Sequence, residues 1–453
     1  MLVVISDMLL ADGSAGEHNL KPQVYQDFLD QIAAAHAKVR QHKPDAQVRI
    51  VYAGGIFELR RTHFWFEQAE FRPWRHFDAV SGKGVAEPPR NTEYLDRAVQ
   101  LFTRIMTHEN VSPIKGILGD RLADRFGGTE PTRVFLPGSA DRLINMHEGL
   151  RARVIDFLGL DLGRPQPLSE AQRFPTAWLD ADHGALIRHG HEFNVYAMEG
   201  DHDDQASYDR IPMSDLITTE LFARLTYEAS LLQPAGDVTP ELLERFRLDL
   251  QQIDNVRPVS SIVKWLARHF SGDVERRLLG HCMEKAVENF NNQDYVKWWL
   301  SASGHDKVWT AFDEADRIES LLSGLKYLRL GKSDLAMGIY DKFANYDPYV
   351  RYVDHAAEEP MLQRPDSPVR FVVYGHTHHA EHVPLGVMGP PDNRRLVHYV
   401  NVGSMRPTHS VTRDGKDFFV SESLDFGIFY RADERAGATG PTFELRTVTR
   451  SRI

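Results

Sequence analysis

The chain has 453 residues, of which 42% are hydrophobic and 26% are charged, an ordinary composition for a globular protein. This length predicts two or three folding units, or one large domain that carries an insertion. No run of about 18 apolar residues occurs, so no membrane-spanning helix is expected. The net charge of −11 argues against a protein that coats nucleic acid through charge alone, but it is compatible with a local basic groove.

The cysteine content and the first residues bear on the compartment. Cys282 is the single cysteine, which excludes an intramolecular disulfide and is typical of a reducing environment. The stretch Met1–Asp7 has no basic segment before its apolar run, so we expect a first strand and not a signal peptide. Together these features predict a cytoplasmic protein.

A strand–helix–strand unit occupies the first 60 residues. Leu2–Ile5 and Val48–Ala53 are short apolar runs, and the apolar spacing within Lys21–Gln41 predicts a helix with one buried face. A right-handed crossover would make the two strands parallel neighbours. The second strand ends at Gly54–Gly55, which predicts a tight turn at its carboxyl end.

Strands that end in polar turns recur further along the chain. One such strand leads into Pro137–Asp141 and another leads into His189–His191. Within the first of these turns, Asp141 is expected to cap the helix that follows. The elements predicted in this part are the strands Arg133–Leu136 and Ala185–Arg188 and the helices Asn91–His108 and Leu143–Leu158.

The segment 211–364 is rich in Leu, Ala, Glu and Arg at helical spacing, and Thr239 with Pro240 forms the expected start of one helix. Because a buried strand resumes at Val369, this segment is interpreted as a helical insertion between two parts of one core, 1–210 and 365–453. Its tryptophans are predicted to be core or interface residues, and the insertion is the expected surface for a protein partner or a second copy of the chain. The aromatic residues concerned are Trp265, Phe270, Trp298, Trp299 and Trp309.

The last part of the chain is predicted to be rich in strands. The segment Met388–Asp392 contains glycine and two prolines and predicts a hairpin loop. The segments that follow are expected to be antiparallel strands that complete a second sheet. They are Leu396–Asn401, Asp417–Val420, Phe426–Arg431 and Thr442–Val448.

Basic and aromatic residues are interleaved in Arg60–Phe66 and again in Arg72–Phe77. One interpretation is a loop packed by its own aromatic side chains. The other is a groove that stacks bases or holds a phosphate-bearing ligand. Arg60 and Arg61 directly follow the turn after the second strand, so they are the side chains expected to meet a phosphate at the mouth of a site.

The segment Gly375–His379 holds three histidines in four positions after the apolar run Val369–Tyr374. This pattern predicts a buried strand whose carboxyl end presents imidazoles, and ligands bind at that end of open α/β sheets. Two histidines two residues apart are a plausible metal pair, since imidazole is a common ligand of transition metals.

Five short blocks, in this order and spacing, resemble those of the calcineurin-like metallophosphoesterases. The resemblance covers residues 1–210 and 365–430, and it implies an α/β fold in the form of a four-layer α/β/β/α sandwich. The helical insertion is similar to that of large bacterial members. The blocks are Ile5–Asp7, Gly54–Leu59, Pro137–Asp141, His189–His191 and Gly375–His378.

By this resemblance, the metal ligands that remain are Asp7, His189, His376 and His378. Other family ligands are replaced, because Leu9, Gly55 and Ser139 stand at their positions. In the family a carboxylate at position 55 bridges two divalent ions about 3.5–4 Å apart, which clamp a phosphate. The family's catalytic histidine is replaced by Ala140.

Three functions remain open from these replacements. The first is a pseudo-enzyme that binds a partner, a nucleotide or nucleic acid, with Arg60, Arg61, Ser139 and His191 as ligand-binding residues. The second is a residual phosphoesterase with one Mn, Zn or Fe ion, since three nitrogens and a carboxylate suit such ions; a two-metal centre is not expected. The third is a site with new ligands, and its candidates are Glu192, Asp201, His202, Asp203 and Asp204.

Overall fold

Two mixed β-sheets organise the α/β structure of this chain. The computed structural model describes residues 1–68, 71–74, 92–163, 168–194, 196–198, 200–257, 261–303, 350–391, 394–413 and 417–452. Trp309 and residues 75–77 of the basic and aromatic stretch therefore lie outside the described residues. None of the described helices is both long enough and apolar enough to cross a membrane.

Twelve strands are named here in chain order. They are β1 (Leu2–Ile5), β2 (Arg49–Ala53), β3 (Thr132–Leu136), β4 (Ala177–Asp180), β5 (Ala185–Arg188), β6 (Val256–Arg257), β7 (Phe371–Tyr374), β8 (Ala380–Met388), β9 (Arg395–Val402), β10 (Pro407–Val411), β11 (Phe418–Tyr430) and β12 (Thr442–Arg452). The first sheet has the order β3-β2-β1-β11-β10-β6, with β12 paired to β11, and the second has the order β4-β5-β7-β9-β8.

The parallel strands are the ones that lead into the predicted turns. In the first sheet β1, β2 and β3 are parallel neighbours, as the sequence predicts for the first two. In the second sheet β5, β7 and β9 are parallel, and the hairpin of β8 and β9 closes at the predicted loop. Parallel neighbours bring their carboxyl ends to one edge of each sheet.

The helices fill the connections and the insertion. They are α1 (Pro22–Arg40), α2 (Phe64–Glu67), α3 (Glu93–Thr107), α4 (Ser112–Ile114), α5 (Leu143–Met146), α6 (Glu148–Leu158), α7 (Gln205–Asp209), α8 (Met213–Leu216), α9 (Arg224–Leu231), α10 (Pro240–Leu250), α11 (Ile262–His269), α12 (Asp273–Asn291), α13 (Asp294–Ser303) and α14 (Val350–Glu358). A π-helical segment, Ile217–Ala223, joins α8 to α9, and another, Lys115–Gly119, continues α4.

Apolar side chains alternate along β1 and enter two separate clusters. Val3 and Ile5 pack with residues of α1, α3 and α6, including Phe28. Leu2 and Val4 pack instead with residues of the second sheet. The far side of the second sheet packs against Tyr352 and Ala356 of α14. This alternation follows from the two-residue repeat of a strand that is buried on both faces.

The predicted helix Leu143–Leu158 is two helices in the structure. His147 is extended between α5 and α6, with φ −136° and ψ 127°. Its Nδ1 atom accepts a hydrogen bond of 3.1 Å from Gly149 N, which caps α6. Thr239 caps α10 as predicted, through its hydroxyl and Leu242 N.

The prediction that the last strands complete the second sheet is wrong for all but β9. Segments 417–420 and 426–431 belong to one strand, β11, which pairs antiparallel with β1, so that Leu2 lies opposite Phe429. β12 pairs along the whole of β11 and therefore also joins the first sheet. These strands occupy the edge of β1 that its parallel neighbour β2 leaves free.

The described part of the insertion has a hydrophobic core of its own. Trp265 and Trp299 are buried in it, and Trp298 packs against it, so these side chains do not form an exposed aromatic surface. The insertion also extends the first sheet, because β6 pairs parallel with β10 and Arg257 lies opposite Ser410. Residues of the insertion are thereby fixed beside the core.

Candidate functional site

The turns that follow β1, β2, β5 and β7 meet at one place. Asp7 N donates to Gly54 O over 3.0 Å, and Gly375 N donates to His189 O over 3.0 Å. His376 N donates to Asp7 Oδ2 over 2.6 Å, which links the two sheets. The structure thus brings together Asp7 and the histidine turn, as the family resemblance implies.

The backbone of these turns is strained. Asp7, Leu9, His376 and His378 have φ angles of 53°, 48°, 66° and 60°, and no other non-glycine residue in the described ranges has a positive φ. Such conformations cost about 1–3 kcal/mol each and persist where the surroundings fix them. Their concentration in two facing turns points to a functional site.

Asp7 lies at the centre of the site and is buried. Its Oδ2 atom accepts hydrogen bonds from Ser6 Oγ and His376 N, over 2.8 and 2.6 Å. Its Oδ1 atom lies 3.4 Å from His189 Nε2 and 3.6 Å from His378 Nε2. Burial raises the pKa of the Asp7 carboxyl to about 7, although both hydrogen bonds oppose this shift.

The histidines around Asp7 favour the neutral form; His189 is buried, and His376 and His378 are partly buried. Burial lowers the pKa of His189 and His378 well below the ordinary value and that of His376 to about 3. Neither ring nitrogen of His189 has a hydrogen-bond partner in the described structure, and neither does His378 Nδ1. Buried polar atoms are normally paired, so these nitrogens have capacity for a ligand.

The donors around Asp7 are of the types that bind a transition-metal ion. Two ligands of a tetrahedral ion such as zinc lie ~3.4 Å apart. The distances from Asp7 Oδ1 to His189 Nε2 and His378 Nε2, 3.4 and 3.6 Å, match that spacing. Within the described ranges, however, no group of three or more His, Cys, Asp or Glu side chains converges on a common metal position. The chemistry and the pairwise distances of these donors therefore fit one ion, and the side chains must shift to bring a third ligand to it.

Gly55 has no side chain, and the structure leaves no room for one at this position. Its φ angle is 63°, which favours glycine, and a Cβ atom added there would overlap Asp7 Oδ1. A carboxylate at this position would need Asp7 to move. Leu9 and Ala140 are buried and offer only apolar side chains.

The residues expected to bind a ligand have different surroundings. Arg60 makes a two-point ion pair with Glu58, at 2.9 and 2.8 Å, and lines a small cavity with Ser139. Arg61 is buried, and its Nη1 atom donates to Asp254 Oδ2 over 2.7 Å. Ser139 is also buried, so the cavity is reached by Arg60 and Ser139 and not by Arg61.

His191 lies beside the site and has an acidic neighbour. Its ring centroid is 5.1 Å from that of His189, and its Nδ1 atom is 3.2 Å from Glu192 Oε2. Glu192 also accepts a hydrogen bond from Gly190 N over 2.8 Å. Glu192 thus orders the turn after β5.

The acidic run 201–204 forms a turn. Asp201 accepts from Asp203 N over 2.9 Å. Asp204 accepts from Ala206 N over 3.0 Å and caps α7. These carboxylates thus accept hydrogen bonds from backbone N–H groups of their own turn.

The prediction that Asp141 caps the following helix is wrong. Its carboxylate accepts hydrogen bonds from the backbone N–H groups of Ile56, at 2.9 Å, and of Gly138. Asp141 is buried, and burial raises the pKa of its carboxyl to about 6. It joins the turn after β2 to the turn after β3, because the backbone donors of these turns have no strand partners there.

Sequence reasoning missed three residues of the site. Asn194 Nδ2 contacts His376 Nε2 at 3.1 Å, and its position just after the His189–His191 block was the available signal. Burial is the main cause of the lowered pKa of His378. The positive charges of Arg257 and Arg406 lower this pKa further. Neither arginine belongs to a recognisable block, so the sequence contains no signal for them.

Comparison of the chain with protein-family models, with curated proteins and with solved structures gave no match.

Proposed function

We propose that this chain is a degenerate metallophosphoesterase-like protein that binds a phosphate-bearing ligand and has little or no hydrolytic activity. The proposal includes a four-layer α/β/β/α arrangement. The separate apolar clusters on the two faces of β1, and the packing of α14 against the second sheet, support that arrangement. The meeting of Asp7 with the histidine turn supports the site.

The observation that carries this proposal is that position 55 cannot hold a bridging carboxylate. Two-metal hydrolysis of a phosphate ester needs a group that holds two cations close together. Gly55 has no side chain, and Asp7 Oδ1 occupies the space that one would take. Ala140 has no proton to give to a leaving group. The remaining side chains are suited to hold a ligand. The bridging carboxylate and the proton donor that hydrolysis of a phosphate ester would need are missing.

The residues that would hold a single ion are Asp7, His189 and His378. Bound Mn, Zn or Fe would supply positive charge that neutralises a phosphate. Neutral imidazoles are needed for such binding, and burial keeps the pKa of both histidines well below its ordinary value. His376 is not included among the residues that would hold the ion, because its Nε2 atom contacts Asn194.

The proposed ligand class is a nucleotide or a nucleic acid, recognised through its phosphate. Titration calorimetry of the full chain with a nucleoside monophosphate and with a short single-stranded oligonucleotide tests this. We expect binding of at least one of them, with loss of affinity in His378→Ala and no change in His379→Ala. Absence of binding to both would refute the proposed ligand class.

The spacing around Asp7 favours a second candidate, a hydrolase that works with one metal ion. Its two ligand-like distances are those expected on a tetrahedral ion. Sustained hydrolysis of a phosphodiester in manganese, lost in His378→Ala, would establish this candidate in place of the first.

A protein partner or self-association at the insertion stays a prediction. The described tryptophans of the insertion are packed inside it and give this prediction no support. Light scattering of the purified chain would measure self-association, and a single-chain mass at all concentrations would count against a homo-oligomer.

A further inference from the structure

We infer that Arg61, Arg257 and Arg406 form the site that holds the phosphate group of the ligand, and that the helical insertion supplies part of this site. These residues are called the arginine cluster. The inference rests on the proposed function, because it names the groups that would hold the phosphate of the proposed ligand. It adds residues from the insertion to a site that otherwise belongs to the core.

The arginine cluster has more positive than negative charge. Arg61 Nη1 and Arg406 Nη2 both point at Asp254 Oδ2, at 2.7 and 3.4 Å. Arg257 Nη1 donates to the backbone carbonyls of Asp254 and Val256, at 2.7 and 2.8 Å. Within the described ranges, Asp254 is the carboxylate that forms ion pairs with the cluster. Two guanidinium groups thus share one carboxylate, and Arg257 adds a third positive charge that has no ion pair with it.

Several N–H groups of the cluster are buried without a partner. Arg61 and Arg406 are 2% and 1% exposed. The Nε and Nη2 atoms of Arg61 and the Nε and Nη1 atoms of Arg406 have no hydrogen-bond partner in the described structure. Leaving buried charged donors unsatisfied is costly. A phosphate has several acceptor oxygens and suits the fork of a guanidinium group.

The cluster lies next to Asp7 and the histidine turn. Met405 N donates to the backbone carbonyl of Asp7 over 3.3 Å, so Arg406 follows a residue that is attached to the turn after β1. The pairing of β6 with β10 holds Arg257 beside this segment. The charges of Arg257 and Arg406 also act on His378, where they lower its pKa further after burial. A phosphate bound by the arginines would therefore lie close to the histidines.

The simpler interpretation is that the cluster only attaches the insertion to the core. The ion pair of Arg61 with Asp254, and the contact of Arg406 with Asn255 Oδ1, would be enough for that role. It gives no reason for a third arginine or for four unpaired nitrogen atoms. An attachment site would be expected to balance its charges, because unbalanced buried charge destabilises the fold.

The test is calorimetric titration of the full chain with inorganic phosphate. We expect binding by the unaltered chain, and binding about tenfold weaker or more in Arg257→Gln and in Arg406→Gln. Arg245→Gln is the matched control. Arg245 also lies in the insertion, but it is exposed and forms an ion pair with Glu275, so its loss should leave phosphate binding unchanged.

Thermal unfolding without phosphate separates the two interpretations. An anion site predicts that Arg257→Gln unfolds at the same or a higher temperature than the unaltered chain, because repulsion within the cluster is relieved. A lowered unfolding temperature with unchanged phosphate affinity would overturn the inference in favour of attachment. Arg257 is partly exposed, so this variant decides the matter even where Arg406→Gln fails to fold.

His378→Ala separates this inference from the proposed function. Phosphate binding that survives in His378→Ala but is lost in Arg257→Gln supports the arginine cluster and removes the histidine turn from the ligand site. Binding that is lost in His378→Ala but survives in Arg257→Gln overturns the cluster and leaves the proposed function standing. Absence of phosphate binding in the unaltered chain also overturns the cluster.

Discussion

Asp7 Oδ1 lies 3.4 Å from His189 Nε2, although the two residues follow strands of different sheets. Neither ring nitrogen of His189 has a hydrogen-bond partner in the described structure. A buried carboxylate and a buried imidazole lie at this distance, and the ring has free hydrogen-bonding capacity; we propose that a ligand binds at this point between the two sheets.

The first prediction concerns metal binding. We expect the chain to bind about one equivalent of zinc or manganese, and His378→Ala to lose most of it, because Nε2 of that residue lies 3.6 Å from Asp7 Oδ1. Elemental analysis after dialysis measures the content. His379→Ala removes an exposed imidazole from the same turn and should retain the metal. Equal metal content in the two variants would contradict the assignment.

The second prediction concerns Gly55. Gly55→Ala combines a φ angle of 63° with overlap on Asp7 Oδ1, whereas Gly236→Ala has nearly the same φ angle, 60°, and no atom within 4 Å. Overlap in a packed interior costs about 1–3 kcal/mol. Gly55→Ala should therefore destabilise the chain by about that much more than Gly236→Ala. Denaturant unfolding measures both, and equal losses would show that position 55 is open.

The third prediction concerns pH. Burial raises the pKa of Asp425 from 3.8 to about 7 in the folded chain. Between these two values the folded state keeps a proton that the unfolded state has lost, so the carboxyl makes stability fall as pH rises, and the penalty is complete above about pH 7. Asp425→Asn removes the penalty.

The stability gained by Asp425→Asn should thus be small near pH 4 and grow to a few kcal/mol, at most about 4, by pH 8. The gain is measured as the difference between the two proteins at each pH, so titrations common to both cancel. A gain that is independent of pH would contradict the raised pKa.

The fourth prediction concerns Asp141. Asp141→Ala leaves buried N–H groups of Ile56 and Gly138 without their acceptor. Each such loss costs about 1–3 kcal/mol, so we expect a loss of stability of about 2–5 kcal/mol. Asp204→Ala removes a carboxylate that also accepts a backbone N–H, but in an exposed turn, and should cost about 1 kcal/mol or less. A similar cost for both variants would show that Asp141 does not join the two turns.

The parts of the fold that the sequence predicts are those with a strong local pattern. The apolar runs of β1 and β2 and the one-sided helix α1 follow from side-chain periodicity. The break at His147 does not, because apolar residues at helical spacing occur on both sides of it and the cap is formed by that one side chain. The sheet that β11 joins is also not encoded locally, since pairing depends on which strand edge is free.

The residues of the site also divide into those that local sequence blocks indicate and those that only the three-dimensional structure reveals. Asp7, His189 and the histidine turn follow strands directly, and the family resemblance of their blocks implies that they meet. Arg257 and Arg406 come together with them through the pairing of β6 with β10. That pairing depends on how the insertion folds back on the core, so no short block of sequence could reveal it. The closure of position 55 by Asp7 likewise needs three-dimensional structure.

The central claim is that this site binds a phosphate-bearing ligand without hydrolysing it. The most direct test is product release from bis-p-nitrophenyl phosphate, with manganese present and the protein in stoichiometric amounts, in the unaltered chain and in His378→Ala. We expect less than one product per chain and no difference between the two proteins. Repeated turnover by the unaltered chain that disappears in His378→Ala would contradict this claim.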